Sequence, residues 1–166
     1  FGARAFKITE EQGVRLTHLK ITGGSLKVRS VIGDEKVNRI RIYSGSKFQT
    51  ADEVFSGTLC AVEGLSKSYA GQGFGTESNA DVPLLEPVLN YRLILPPKTD
   101  LHGALVQMRK LEEEDPQLHV VWNEQTQEIH VQLMGEIQIE VLTKIISERF
   151  SMDVSFDEGG IIYKET

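Results

Sequence analysis

The side chains that most often carry out chemistry are few and scattered in this sequence. Its four histidines, His18, His102, His119 and His130, form no H-x-x-H, H-x-H or H-E-x-x-H motif, and Cys60 is the only cysteine. Without paired ligands at such spacings, the sequence predicts no metal site. No G-x-S-x-G motif marks a serine nucleophile. We therefore expect a binding protein with no catalytic residues.

Basic residues are the feature that indicates a binding partner. Residues 1–47 contain 10 lysines and arginines and 4 acidic residues, whereas residues 91–166 contain 7 basic and 14 acidic residues. A local basic patch on an acidic protein indicates a polyanion on one face. The competing interpretation is a solvated strand face with scattered charges. If a polyanion binds, the candidate contacts are Arg15, Lys20, Lys27, Arg29, Arg39 and Arg41.

Composition limits the class of protein. The 166 residues are 40% hydrophobic and carry a net charge of −6, which is typical of a folded chain of one or two domains. No apolar run approaches the roughly 18 residues of a membrane span, so we expect no membrane partner. A single cysteine excludes an internal disulfide and suits the cytoplasm. Because the chain begins at Phe1 without an initiator methionine, we expect a fragment of a longer protein.

The first half predicts a β-barrel. Apolar and polar residues alternate at period two over 14–21, 26–31, 37–43 and 58–65, which sends the aliphatic side chains to one face and the basic ones to the other. Gly23-Gly24-Ser25 predicts a tight hairpin between the first two of these strands. Short strands with turns at this spacing favour a closed barrel, to which we assign residues 1–86.

The second half, residues 87–166, predicts a ferredoxin-like βαββαβ sandwich. Apolar residues from Leu101 to Leu111 recur at helical spacing, with Thr99 or Asp100 as the cap. In the hairpin that follows, Val120 opposite Val131 aligns the apolar sets on one side. Gly135 is expected to permit the turn into a second helix, whose predicted buried side consists of Val141, Leu142, Ile145, Ile146 and Phe150. The fold class is therefore β + α/β in two domains.

Two motifs in this half resemble the third domain of elongation factor G and its relatives. That family has a helix ending in L-x-x-E-D-P, a hairpin, and a G-E-[LI]-[HQ]-[LIM]-E helix start. The matching residues here are Glu114, Asp115 and Pro116 in the first motif and Gly135, Glu136, Gln138 and Glu140 in the second. Tyr163-Lys164-Glu165-Thr166 resembles the V-x-Y-x-E-T that leads into the fourth domain. The first half is similar to the second domain, through Val14-Arg15-Leu16, Gly24-Ser25-Leu26 and the basic residue Arg29.

One position favours a subgroup of this superfamily. Gln138 stands where elongation factor G usually has histidine. Together with Phe6-Lys7-Ile8 before Arg15-Leu16, this glutamine makes the chain look more like the tetracycline ribosomal-protection proteins. The alternatives are a fragment of elongation factor G itself, a fragment of another ribosomal GTPase, and a free-standing RNA-binding module.

The resemblance implies a ribosome-binding GTPase of which this chain supplies two interior domains. The full-length protein would release tetracycline from the ribosome in a GTP-dependent way, with GTP and magnesium in a missing GTPase domain and further C-terminal domains after this chain. The barrel would lie against small-subunit RNA, and the other domain would relay ribosome contact to the GTPase domain. The chain contains neither G-x-x-x-x-G-K-[ST] nor N-K-x-D, so we expect it to bind no cofactor itself.

Overall fold

The computed structural model describes residues 1–81 and 89–157 and divides the chain into two compact units, Phe1–Val82 and Pro83–Thr166. The expected domain boundary at residues 86 and 87 and the motif Tyr163–Thr166 lie outside the described residues. Neither described helix is long and apolar enough to cross a membrane.

Period-two alternation in the first unit produces strands with one buried face. The strands are β1 (Gly2–Glu11), β2 (Val14–Gly23), β3 (Ser25–Lys27), β4 (Val31–Ile32), β5 (Glu35–Lys36), β6 (Arg39–Ser44), β7 (Lys47–Ala51), β8 (Glu53–Phe55), β9 (Leu59–Glu63) and β10 (Gly73–Gly75). Six of them form an antiparallel sheet in the order β10-β1-β2-β9-β6-β7, and two ribbons pair β3 with β8 and β4 with β5.

Aliphatic side chains from the sheet and from the β3–β8 ribbon share one core. Leu19 and Ile21 of β2, Ile40 of β6 and Val62 of β9 pack there with Leu26 of the ribbon. Each of these side chains is at most 2% exposed. Burying an aliphatic side chain of this size stabilises the fold by about 1.5–3 kcal/mol, so this core holds the sheet and the ribbon together as the predicted barrel.

The predicted hairpin between the first two strands is wrong. Gly24 does adopt a left-handed turn conformation, with φ of 65°, but β2 pairs with β1 and β9 while β3 pairs with β8. The turn at Gly24 therefore moves the chain from the sheet to the ribbon. The predicted strand 26–31 is also interrupted, because Arg29 has a φ of 72°, which no β-strand allows.

The second unit has the predicted ferredoxin-like topology. Its elements are β11 (Leu89–Ile94), α1 (Leu101–Glu114), β12 (His119–Asn123), β13 (Glu128–Leu133), α2 (Ile137–Phe150) and β14 (Ser155–Asp157). The strands form an antiparallel sheet in the order β12-β13-β11-β14, which confirms the predicted fold class. Val120 pairs with Val131 as predicted, because the alternative register would bury His130.

Both helices cover this sheet with their apolar sides. Asp100 caps α1 by accepting a hydrogen bond from the backbone N–H of His102, an interaction that stabilises a helix by about 1 kcal/mol. Met108 of α1 and Ile146 of α2 are fully buried in the shared core. The prediction for Val141 is wrong: its side chain is 53% exposed, because the buried stripe of α2 runs through Leu142 and Ile146 instead.

Candidate nucleic-acid interface

The six-stranded sheet has one face turned away from the barrel core, which we call the outer face. Lys20 pairs with Leu59, His18 with Ala61, and Arg39 with Glu63. Cross-strand partners share a face, and faces alternate along each strand. Since Leu19 and Val62 between these positions point into the core, the pairs all lie on the outer face. Four residues along β9 separate the positions opposite Lys20 and Arg39, a distance of about 13 Å.

The outer face carries more basic than acidic side chains. Its five cations are Arg4, Lys7 and Lys20 on β1 and β2 and Arg39 and Arg41 on β6. The carboxylates on this face are Glu11, Glu63 and Glu77. Lys7 and Lys20 are exposed and make no ion pair within the described part of the chain. These two ammonium groups are therefore available for a partner's phosphates.

Arg41 does not present its charge to solvent, although it was a predicted contact. Its side chain is 7% exposed, with its Nη2 2.6 Å from Glu63 Oε1 and its Nη1 3.2 Å from Glu11 Oε2. Burial opposes the guanidinium charge, but hydrogen bonds to Tyr43 and Glu63 hold the pKa of Arg41 above its ordinary value. In this conformation a polyanion could not reach Arg41, which instead joins β1, β6 and β9.

Arg15 also binds within the barrel. Its Nη1 donates to Ser68 Oγ at 2.9 Å and its Nη2 donates to the Ser68 carbonyl oxygen at 2.6 Å. A further hydrogen bond joins Nη1 to the carbonyl oxygen of Leu65. The guanidinium therefore holds the loop after β9 against β2, and its donors are used within the barrel.

The remaining predicted contacts lie in two places. Lys20 and Arg39 are on the outer face, and Arg39 keeps only a weak ion pair with Glu63 at 3.5 Å. Lys27 and Arg29 are exposed on the β3–β8 ribbon and in the turn that follows it, and Lys27 lies 3.8 Å from Glu53. The structure thus does not gather the six predicted side chains into one cluster, and their contact with RNA stays a prediction.

Four aromatic rings cross the outer face in a row that the basic pattern did not reveal. Ring centroids are 6.0 Å apart between Phe6 and His18, 6.0 Å between His18 and Tyr43, and 5.5 Å between Tyr43 and Phe48. We call these four residues the aromatic row. Tyr43 is two residues after Arg41 on the same strand, and residues two apart in a strand point to the same face. This spacing could have placed Tyr43 on the outer face from the sequence.

The two ends of the aromatic row are open and its middle is packed. Phe6 is 50% and Phe48 is 42% exposed, whereas His18 and Tyr43 are half-buried. The His18 Nε2 lies 2.8 Å from Thr9 Oγ1. Burial, followed by the charge of Lys7, lowers the pKa of His18 despite the opposing charge of Glu11. The imidazole is consequently neutral at pH 7, like the other rings of the row.

Phe6 also lines an open groove of about 490 Å³ on the outer face. The groove is bounded by cationic, apolar and hydroxyl side chains together with one carboxylate: Arg4, Phe6, Lys20, Thr22, Leu59 and Glu77. Arg4 donates to Glu77 at 2.9 Å, so this pair is internally neutralised. Leu59 and Phe6 are both exposed by half or more. The groove combines apolar walls with the ammonium group of Lys20, which makes no ion pair to the described residues.

In the second unit, the residues of the first family motif bind other parts of the fold. Both carboxylate oxygens of Glu114 accept hydrogen bonds from Arg149, at 2.8 and 2.9 Å. Asp115 ends α1, and its Oδ1 accepts a hydrogen bond from the backbone N–H of Gln117, while the exposed Pro116 follows it in the turn. The carboxylates of Glu114 and Asp115 at the end of α1 therefore accept hydrogen bonds from groups of the same unit.

The second motif organises the start of α2. Gln138 Oε1 accepts hydrogen bonds from the backbone N–H groups of Met134 at 2.8 Å and Gly135 at 3.3 Å. Its Nε2 lies 3.4 Å from Gln117 Oε1, beside the end of the first motif. The exposed Glu136 and Glu140 lie at the helix N-terminus, where acidic side chains are favoured.

The conformational reason expected for Gly135 is not found. Its φ is not positive, and a Cβ built at this position meets no atom within 4 Å. Any small residue would therefore fit there.

Neither a metal-binding cluster nor a reactive cysteine is found among the described residues. No three His, Cys, Asp or Glu side chains among them could hold a metal ion together. Burial raises the pKa of the Cys60 thiol to about 11, so this cysteine is protonated and unreactive at neutral pH.

Comparisons with known proteins agree with the motifs. Residues 86–158 match the family model described as elongation factor G, domain III. The chain is similar to elongation factor G. It is 26% identical over 174 residues to elongation factor G 2 of Syntrophus aciditrophicus (strain SB), an alignment that covers 99% of this chain and 26% of the relative. Elongation factor G of Amoebophilus asiaticus (strain 5a2) is 27% identical over 176 residues, with coverage of 99% and 25%.

These relatives are much longer than this chain. It spans about a quarter of the length of the curated relatives it matches. A crystal structure of a protein from Thermus thermophilus superposes with a TM-score of 0.74, covering 94% of this chain and 25% of that one at 20% identity. That likeness supports the fold of both units. The resemblance to the elongation factor G superfamily predicted from the motifs is confirmed.

Proposed function

We propose that this chain is the barrel and third-domain portion of a ribosome-binding translational GTPase, and that the outer face of its barrel docks on ribosomal RNA. The observation that carries this proposal is the outer face itself, where Lys7 and Lys20 stand exposed without ion pairs to the described residues, in a chain similar to elongation factor G. Cations on a rigid sheet bind phosphates with little dependence on base sequence.

In this proposal the two units have different tasks. The barrel supplies the RNA contact, through Lys7, Lys20 and Arg39 on the outer face, with Lys27 and Arg29 on the neighbouring ribbon. The second unit relays ribosome contact to the GTPase domain, and its Glu114–Arg149 and Gln138 contacts keep it rigid enough to do so. GTP and magnesium bind elsewhere in the whole protein, which acts in the cytoplasm.

Binding to small ribosomal subunits tests the docking proposal. The variant Lys7→Glu/Lys20→Glu should lose about tenfold or more in affinity, because two phosphate contacts are replaced by repulsion. The matched control is Lys47→Glu/Lys144→Glu, which changes the charge equally. Lys47 pairs with Ser44 on the opposite face of the sheet, and Lys144 belongs to α2. Equal losses in both variants, or no binding by the unmodified chain, would contradict the proposal.

A second candidate function concerns the process that the whole protein serves. Gln138 favours ribosomal protection against tetracycline over ordinary elongation, since elongation factor G usually has histidine at this position. We propose that the full-length protein releases tetracycline from the ribosome. Expression of the complete gene should then raise the tetracycline tolerance of a susceptible host, and unchanged susceptibility would leave the elongation factor alternative. A gene without a P-loop segment before Phe1 would favour the free-standing RNA-binding module.

A further inference from the structure

The two end rings of the aromatic row, Phe6 and Phe48, are exposed to solvent. Both side chains lie on the outer face, away from the barrel core, and each exposes two-fifths or more of its surface. The inner rings, His18 and Tyr43, pack between them at centroid distances near 6 Å. A row of rings on a β-sheet is a surface on which flat, apolar groups can stack.

Phe6 lies where the pairing of β1 with β2 is interrupted. The register shifts between Ala5 and Lys7, so that Leu19 pairs with Ala5 and His18 pairs with Lys7. Phe6 is therefore the extra residue of a β-bulge, a device that redirects a side chain. The bulge places both Phe6 and Lys7 on the outer face.

Charge decides which kind of flat group would bind there. Lys7 and Lys20 flank Phe6 and make no ion pair within the described part of the chain. The carboxylates of this face are paired, Glu77 with Arg4 and both Glu11 and Glu63 with Arg41. An acidic ligand with flat rings is the complement of this surface. Unpaired nucleotides combine a phosphate with a base whose π-face is open, whereas the bases of a duplex are stacked on one another.

We propose that the aromatic row is a stacking platform for unpaired RNA bases, with one base on Phe6 in the groove beside Lys20 and another on Phe48. This inference rests on the proposed docking of the barrel on RNA, and adds that the contacted RNA includes a single-stranded loop or bulge. Phe48 is the weaker position, because the Arg41 guanidinium covers one side of its ring at 4.3 Å. Phe6 has no such cover from a cation among the described residues.

The test compares three labelled RNAs by fluorescence anisotropy: a short single strand, the same strand with abasic sites, and a matched duplex. The unmodified chain should bind the single strand most tightly. Phe6→Ala should weaken single-strand binding about tenfold or more, since stacking of one base contributes on that scale. Phe48→Ala should cause a smaller loss, and neither substitution should change duplex binding. Lys20→Glu should weaken the binding of all three RNAs.

Two controls separate stacking from apolar contact and from misfolding. Tyr69→Ala removes a ring that is 51% exposed in the loop after β9, outside the aromatic row and the β3–β8 ribbon, and should leave RNA affinity unchanged. Phe6→Leu keeps apolar area without a ring and should lose as much single-strand affinity as Phe6→Ala, whereas Phe6→Tyr should restore it. Because Phe6 is half-exposed, these variants should retain the circular dichroism spectrum of the parent chain.

Three results would overturn the inference. Equal binding of the abasic and normal strands would show that only phosphates are contacted. Unchanged single-strand affinity in Phe6→Ala, combined with weaker binding to small ribosomal subunits, would assign the row to a ribosomal protein. An equal loss in Tyr69→Ala would show a non-specific effect. Failure of the unmodified chain to bind ribosomal subunits would instead overturn the proposed function.

Discussion

The barrel and the second unit use their distinctive residues in opposite ways. On the outer face of the barrel, Lys7, Lys20 and Phe6 point to solvent. In the second unit, Glu114 and Gln138 of the family motifs bind Arg149 and the backbone of Met134 and Gly135. The difference teaches that residues of a distinctive motif can serve to specify the fold, while the side chains left exposed to solvent lie in a less distinctive pattern.

Arg41 is the exception that tests this contrast most severely, because it is a barrel cation with a structural task. Arg41→Ala should lower the free energy of unfolding by about 3 kcal/mol, since it leaves the largely buried Glu63 with only its weak ion pair to Arg39. Arg39→Ala removes an exposed partner of the same carboxylate and should cost less than about 1 kcal/mol. Urea unfolding followed by far-UV circular dichroism measures both. Similar costs for the two variants would show that Arg41 is not a structural residue.

Gln138 tests the structural role of the motifs in the second unit. Gln138→Ala should lower stability by about 1 kcal/mol, because two backbone N–H groups lose their acceptor. Trp122, the only tryptophan of the chain, lies on β12 of the same unit and reports its unfolding by fluorescence. Gln107→Ala in the interior of α1 is the control and should change stability by less than about 0.5 kcal/mol. No difference between the two variants would remove the proposed capping role.

His18 offers a smaller, pH-dependent test on the barrel side. Its pKa is lowered in the folded state, so the unfolded chain takes up a proton first. Its contribution to stability should be complete above its ordinary pKa of 6.5 and should diminish as the pH falls toward the lowered value. Urea midpoints measured across this range should therefore fall less steeply in His18→Gln than in the parent chain. The same slope in both proteins would contradict the burial of His18 in the aromatic row.

The sequence predicted much of the second unit and less of the barrel. In the second unit β12 and β13 are neighbours both in the chain and in the sheet, and the register at Val120 and Val131 follows from local alternation. In the barrel, β2 pairs with β9 through Thr17 and Val62. Local periodicity carries no information about such distant partners. The sequence therefore predicted a hairpin at Gly24 between strands that do not pair.

The same distinction explains the candidate site. Alternation was sufficient to place Lys20 and Arg39 on the outer face. The burial of Arg41 depends on Glu11 and Glu63, which come from two other strands, and Arg15 binds Ser68, which is 53 positions away. The position of Phe6 depends on a β-bulge, which inserts one extra residue into β1. No residue type in this part of the sequence marks the bulge.

The salt dependence of binding to small ribosomal subunits tests the central claim most directly. If the outer face contacts phosphates, the logarithm of the association constant should fall linearly with the logarithm of the salt concentration. Lys7→Gln/Lys20→Gln should reduce the magnitude of that slope by about two, one for each phosphate contact removed. An unchanged slope in this variant would contradict the docking of the outer face on RNA.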